Sequence, residues 1–158
     1  MKKQNPKGIG IYVSQKRDIL FIPVLHTKPG FGKSIGYFQS LDWPYGYADI
    51  GNIFFRVMDD MKYEPILDGT ETITPAFKII TKGKGFSTFQ KSRQMIYASF
   101  GEGILLQYWY RKTRGFGIDA GDKIIQSRLP YQCTAEEIGQ AIDDIYYSIN
   151  QQHLIGKT

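Results

Sequence analysis

The stretch Ile104–Ile118, ILLQYWYRKTRGFGI, decides how the rest of the chain is read. It opens as an apolar run, passes through Tyr108-Trp109-Tyr110, turns basic at Arg111-Lys112-Thr113-Arg114 and ends on Gly115-Phe116-Gly117. Aromatic and β-branched residues suit a pleated, half-buried strand. Strand alternation puts Ile104, Leu106, Tyr108 and Tyr110 on one face and Leu105, Gln107, Trp109 and Arg111 on the other. The first face is apolar or aromatic throughout, and the second grows polar towards its end. The pattern predicts a central strand whose far end reaches solvent at a basic turn. Two readings of that end stay open: a solvated turn, or a recognition edge, because Trp, Tyr and Arg anchor protein interfaces.

The neighbours of this strand lie on both sides of it in sequence. Gln94–Phe100 precedes it across Gly101-Glu102 and reads as the other arm of a hairpin. Asp119-Ala120-Gly121-Asp122 is a turn signal. Lys123–Leu129 after it alternates Ile125, Ser127 and Leu129 against Ile124, Gln126 and Arg128. Ile73–Thr81, with Pro75 near its start, reads as a fourth strand of one antiparallel meander. Between them lie a basic glycine-rich turn, Lys82-Gly83-Lys84-Gly85-Phe86, and Phe86–Ser92, which fits a short helix or irregular structure. Thr134-Ala135-Glu136-Glu137 is a capping box, with Thr134 at the N-cap and Glu137 at N3. Ile138, Ala141, Ile142, Ile145, Tyr146 and Ile149 then form one apolar stripe, so Thr134–Asn150 is expected to lie as a helix across the sheet.

Upstream, Ile9–Val13 and Ile19–Leu25 read as a hairpin, and Pro23 makes the second arm an edge or irregular strand. His26–Ser34 reads as a loop. Its Gly32-Lys33-Ser34 is no P-loop, since the first glycine of that motif would fall at Thr27 and Pro29 interrupts it. Leu41–Ala48 sets Trp43, Tyr45 and Tyr47 around Pro44 and Gly46, as a packed loop or lid does. An amphipathic helix, Asp49–Lys62, follows, with Asp49 as N-cap and Ile50, Ile53, Phe54, Val57, Met58 and Met61 on one face. The expectation is one α+β domain over residues 1–158: an antiparallel β-sheet meander with two main amphipathic helices packed on it. Residues 1–8 and 152–158 are expected to be flexible.

Composition narrows the class. At 158 residues the chain suits a single sizeable core. Met1-Lys2-Lys3-Gln4-Asn5-Pro6 does not resemble a signal peptide, and no apolar run approaches the roughly 20 residues that span a bilayer. Cys133 is the single cysteine, so no intrachain disulfide forms and a cytoplasmic location is expected. Charge is distributed in blocks. Residues 1–40 carry 7 basic side chains against 1 acidic, and residues 41–77 carry 2 against 7. Residues 78–128 carry 10 against 3, and residues 129–158 carry 1 against 4. Such blocks either form a bipolar surface that steers a charged partner or intermingle in space.

No catalytic pattern stands out. The two histidines, His26 and His153, sit in a loop and near the C-terminal tail, and no closely spaced Cys/His set suits a metal. Cys133 precedes a helix N-cap without a histidine beside it in sequence, so it reads as a structural thiol. Asp59-Asp60 diverge on a helix, and Asp119/Asp122 flank an ordinary turn. No enzymatic activity, cofactor or metal is expected. Asp59 and Asp60 nonetheless lie at a helix C-terminus, where the macrodipole disfavours negative charge. With Glu64, Asp68 and Glu71 they suggest an acidic contact surface. A second candidate is Trp109, Arg111, Lys112 and Arg114. Together with Tyr108 and Tyr110 these would suit RNA or single-stranded DNA, which combine stacking with phosphate contact. Arg114-Gly115-Phe116-Gly117 resembles the opening of the RRM signature, but Ile118-Asp119 stand where that motif wants Phe-Val.

The order of parts carries a family resemblance. A glycine-rich basic turn leads into Gly85-Phe86-Ser87-Thr88-Phe89-Gln90-Lys91, a meander follows, and Thr134-Ala135-Glu136-Glu137-Ile138-Gly139 opens the last helix. This resembles the immunity proteins of bacterial contact-dependent growth inhibition (CDI) systems, small α+β proteins with a Gly-x-Ser-x-x-Phe-x-Lys-type element before the meander. Their last helix opens Ser/Thr-x-Glu-Glu-Ile/Leu-Gly. Gly85, Ser87, Gln90 and Lys91 approximate the first element, with Phe89 closer to Ser87 than the pattern asks; Thr134, Glu136, Glu137, Ile138 and Gly139 match the second. The resemblance covers the C-terminal half. It implies a non-enzymatic inhibitor that binds the C-terminal toxin domain of a cognate effector, commonly a nuclease, in the bacterial cytosol. It implies no membrane and no small-molecule cofactor. It fixes no binding residue, so Asp59, Asp60, Glu64, Asp68 and Glu71 remain one candidate surface and Trp109, Arg111, Lys112 and Arg114 the other.

Overall fold

Alternating apolar residues near the N-terminus set the first strands. A computed structural model describes residues 5–62, 64 and 66–156. In it Gly8–Ser14 (β1) and Ile19–His26 (β2) form the expected hairpin, with Ile11 opposite Phe21. Pro23 does not put β2 at the edge. The outer side of β2 is instead shared by two short strands, Gly32–Ser34 (β3) and Gln39–Leu41 (β4), which pair with residues 24–26 and 19–21. Pro23 falls in the gap between them, where no outer partner calls for its missing N–H. The loop expected at His26–Ser34 is thus bounded by strand at both ends.

The first long helix, Tyr47–Met61 (α1), begins two residues earlier than expected. Gly46 is its N-cap, and Asp49 acts from N3, its Oδ2 accepting from Gly46 N at 2.8 Å. The strand expected at Ile73–Thr81 does not form: Ala76–Ile80 (α2) is helical, with Pro75 at the N-cap. A proline without an N–H suits the start of a helix, and Phe77 and Ile80 share a face on a small second core. The ambiguous segment after it is a helix, Phe86–Lys91 (α3).

Arg93–Phe100 (β5) and Ile104–Lys112 (β6) pair as expected, with Ile96 opposite Tyr108. The place beside β5 assigned to residues 73–81 is taken by β1, which runs antiparallel to it with Ile11 opposite Ile96. Gly115–Gly117 (β7) folds back onto the end of β6, and Gln126–Leu129 (β8) pairs with its start, a shorter strand than Lys123–Leu129. Ala135–Asn150 (α4) carries the expected capping box: Thr134 Oγ1 accepts from Glu137 N at 3.1 Å, and Glu137 Oε1 from Thr134 N at 2.9 Å.

The described residues therefore form one α+β domain with an antiparallel eight-stranded sheet and four helices, two of them long. α1 and α4 cover one face of the sheet over a core of Ile9, Ile11, Phe21, Phe54, Leu106 and Ile142, among others. Where these helices cross, glycines let backbone meet backbone. A Cβ at Gly139 would stand 2.0 Å from the Tyr47 carbonyl oxygen, and one at Gly51 would stand 1.9 Å from that of Ala135. Residues 152–156, expected to be loose, are packed down. Leu154 is wholly buried, its N donates to Asp143 Oδ1 at 2.6 Å, and its carbonyl accepts from Trp43 Nε1 at 3.0 Å. The buried Arg17 guanidinium adds bonds to the carbonyls of His153 and Gly156 and lies over the Trp43 ring. At the other expected flexible end, residues 5–8 are described, with Pro6 and Gly8 buried and Gly8 already in β1; residues 1–4 and 157–158 lie outside the described residues.

Candidate functional site

The acidic run folds into two parts, each engaged within the chain. Asp59 is exposed at the end of α1 and pairs with Lys62 at 3.3 Å, while Asp60 accepts from the Tyr37 hydroxyl. Glu64 is half-buried just beyond. Asp68 and Glu71 belong to a loop tied to the end of β2 by Lys28 N to Leu67 O (2.7 Å) and Leu67 N to His26 O (2.9 Å). Asp68 pairs with Lys28 at 2.7 Å. Glu71 accepts from the backbone N–H groups of Asp68 and Gly69, both at 2.8 Å, and these bonds hold its carboxyl below the usual range. Asp68 and Glu71 thus shape a loop.

The aromatic and basic stretch separates by strand parity. Tyr108 is buried in the main core, and Tyr110 packs edge-on against it, its hydroxyl donating to Lys123 O at 2.8 Å. Of the three aromatics at 108–110, only Trp109 faces away from the helices. Lys112 is neutralised: its ammonium lies 2.5 Å from Asp122 and 2.9 Å from Asp119. Those hydrogen bonds raise its pKa, and the Asp119 N–H together with Lys112 lowers that of Asp122. Arg111 and Arg114 are exposed, and Arg111 donates to Arg93 O at 2.5 Å.

The turn that carries these cations is held from beneath. Gln90 of α3 is buried, and its amide donates to the carbonyls of Lys112 (2.6 Å) and Gly115. Part of the Gly85–Lys91 element thus acquires a physical role: it pins the basic turn against the sheet. Cys133 is half-buried, and burial with nearby Glu137 pushes its thiol up, away from the thiolate, in line with a structural cysteine.

Sequence reasoning singled out Trp109, Arg111 and Arg114 but missed Lys7, Tyr12 and Tyr97, which lie with them on the sheet's other face. α2 and α3 cover only part of it, through Ile22, Ala76 and Phe89. Beside them Trp109 stacks on Tyr97 of β5, centroids 4.3 Å apart and planes 25° from parallel. Tyr97 lies close over β1, where a Cβ at Gly8 would stand 2.1 Å from its hydroxyl oxygen. The signal was present in Gly8-Ile9-Gly10-Ile11, an alternation that bares one face of a strand while burying the other. A groove of about 470 Å3 runs here, lined by Tyr12, Val24, Tyr97, Trp109 and Phe116 with Lys7 and Arg114 at its polar margin. Among the described residues, no group of three or more His, Cys, Asp or Glu could hold a metal, and no helix is long and apolar enough to cross a membrane.

No protein-family model and no curated protein sequence matches the chain. Solved structures do match in fold. A protein of unknown function from Neisseria meningitidis superposes with a TM-score of 0.63 at 11% identity, over 94% of this chain and 97% of that one. A chain of the CdiA-CT/CdiI toxin and immunity complex from Yersinia pseudotuberculosis superposes with a TM-score of 0.59 at 9% identity, over 93% and 98%. At such identities the likeness is one of fold.

Proposed function

We propose that this protein is the immunity protein of a contact-dependent growth inhibition system, binding and neutralising a cognate toxin domain in the bacterial cytosol. The observation that carries the reading is the fold shared, nearly end to end, with a chain of a toxin and immunity complex. The sequence element Thr134-Ala135-Glu136-Glu137-Ile138-Gly139 supports it from an independent side. Inhibition of this kind needs no catalysis by the inhibitor: buried aromatic or Arg anchors slow release, and complementary charge speeds encounter. A nuclease is the favoured class of toxin.

The test is co-expression with the C-terminal toxin domain encoded beside this chain's gene. The toxin alone is expected to arrest growth, the pair to grow normally, and the two proteins to co-elute as a complex. Continued arrest with no complex would refute the reading. The nucleic-acid alternative is weakened by the structure, because Tyr108 and Tyr110 face the core and Lys112 is already neutralised.

A further inference from the structure

The second face of the sheet is unusual in its charge. The strands that build it, β1, β5, β6 and β8, carry no acidic side chain, and neither do α2 and α3, which cover part of it. Strand parity sends Arg93, Arg111 and Arg128 to the same side as Tyr97 and Trp109, since Arg128 pairs opposite Leu105 and Met95 opposite Trp109. Lys7 and Arg114 line the groove itself. Nothing on these elements neutralises those cations, in contrast to Lys112 with its two aspartates and Lys28 with Asp68.

The centre of this face also leaves a donor unused. Trp109 Nε1 is buried and has no hydrogen-bond acceptor among the described residues, so the indole meets a partner as apolar surface and not as a donor. The groove is mainly apolar and aromatic, with two cations, Lys7 and Arg114, at its margin, so the occupant it suits carries negative charge on a slender, partly apolar chain. A bulky, uniformly apolar helix would leave the cations unpaired. The chain's own first residues, Met1-Lys2-Lys3-Gln4, would add positive charge to a positive face. A nucleic-acid strand would need free ring faces on which to stack, whereas Tyr97 and Trp109 each spend one face on the other.

Resting on the immunity reading above, we infer that an acidic segment of the toxin domain docks in this groove, with Tyr97 and Trp109 as its apolar floor and Lys7 and Arg114 as its charge partners. The acidic Asp59–Glu71 region is then outside the contact. This choice between the two candidate surfaces follows from which charges the fold has already satisfied.

The experiment measures the affinity of the neighbouring-gene toxin domain for the wild-type protein and three variants by calorimetry. Thermal melts confirm that each variant folds. Lys7→Glu/Arg114→Glu is expected to bind at least about 100-fold more weakly, because like charges meet across the contact. Arg114→Glu alone, which leaves the Lys7 bond to Gly30 O intact, is expected to lose about 10-fold. Asp59→Lys/Asp60→Lys is expected to stay within about 3-fold of wild type. Wild-type affinity in Lys7→Glu/Arg114→Glu, or a loss confined to Asp59→Lys/Asp60→Lys, would overturn the inference while leaving the immunity reading intact. Failure of the wild-type protein itself to bind the toxin would refute the immunity reading instead. Tight binding of polyuridylate at low salt that Arg114→Glu abolishes, with toxin binding unchanged, would assign the face to nucleic acid and overturn the inference.

Discussion

Replacing Gly139 by Ala tests the crossing of the two long helices, and the outcome turns on two opposed terms. In an exposed helix interior the change would stabilise by up to about 1 kcal/mol, because alanine forms helix better than glycine. Here the new Cβ would stand 2.0 Å from the Tyr47 carbonyl oxygen and 2.7 and 2.8 Å from its C and Cα atoms, where ordinary contact begins at 3.4 Å. All three atoms are backbone of the first turn of α1, so no side chain can rotate away. Relief requires the helices to part by about 1 Å, which loosens close packing along the whole contact. Overpacking of this kind costs about 1–3 kcal/mol, and a backbone obstacle puts it at the upper end. After the propensity gain, Gly139→Ala is expected to lose about 2 kcal/mol of stability. Gly51→Ala should behave alike, since its Cβ would meet Ala135 O at 1.9 Å. One separation of the helices relieves both clashes, so the double variant is expected to lose less than the sum of the two. Urea denaturation followed by circular dichroism measures all three. A Gly139→Ala protein as stable as wild type, or more so, would refute the close-crossing argument.

Four further outcomes are expected. Asp143→Ala removes the acceptor of Leu154 N (2.6 Å) and Tyr47 Oη (2.9 Å) and the partner of His153 Nδ1 (2.9 Å). It should lose about 1–3 kcal/mol and expose residues 152–156 to limited proteolysis, whereas an uncut tail would show that Arg17 and Trp43 suffice to hold it. Gln90→Ala leaves the Lys112 and Gly115 carbonyls without their amide donor, costing about 1–3 kcal/mol, and hydrogen exchange should quicken in residues 111–117; unchanged exchange would mean the turn holds itself. Burial raises the Tyr12, Tyr45, Tyr97, Tyr108 and Tyr146 hydroxyls, and burial with the bond to Asp143 pushes Tyr47 up to about 12. A folded pKa above the unfolded value near 10 stabilises fully below about pH 10 and is lost as pH rises through the folded value. The tyrosinate absorbance of these six should therefore rise together with unfolding above that pH, and reversible titration of all the tyrosines near pH 10 in a folded protein would contradict it. The raised Cys133 thiol should react with Ellman's reagent more slowly than a free thiol near pH 8, and a faster reaction would mean that the adjacent helix N-terminus governs it.

Periodicity made the main body of the fold legible. The β5–β6 hairpin, the strand after it, the β1–β2 hairpin and both long helices follow from alternation, helical spacing and the Thr134 capping box, because each is a local pattern. The error at Ile73–Thr81 has a local cause too. Ile73, Pro75, Phe77 and Ile79 alternate as a strand would, but Pro75 also suits a helix N-cap, and tertiary packing of Phe77 and Ile80 against Phe89 decides for helix. The position beside β5 was not legible in the same way. That β1 fills it is a pairing across some eighty residues, a contact that no local window contains.

The same distinction between local and distant information governs the candidate site. Composition groups Tyr108, Trp109, Tyr110, Arg111, Lys112 and Arg114 as one aromatic and basic cluster, whereas the fold divides it. Parity sends Tyr108 and Tyr110 to the helices, and Asp119 and Asp122 cancel Lys112, which leaves Trp109, Arg111 and Arg114 for any partner. The fold then adds what the stretch lacks. Tyr97 comes from the neighbouring strand, and Gly8 of β1 gives its ring room, as Gly10 does for that of Tyr12. Lys7 comes from the chain just before that strand, more than a hundred residues upstream of Arg114. Charge alone would have favoured the acidic run, five carboxylates within thirteen residues. Four of the five already have partners inside the chain, and a charge so engaged has less free energy to offer a partner than an unpaired one. The contact surface is therefore better sought where the fold leaves charges unpaired beside aromatic rings than where the sequence concentrates charge.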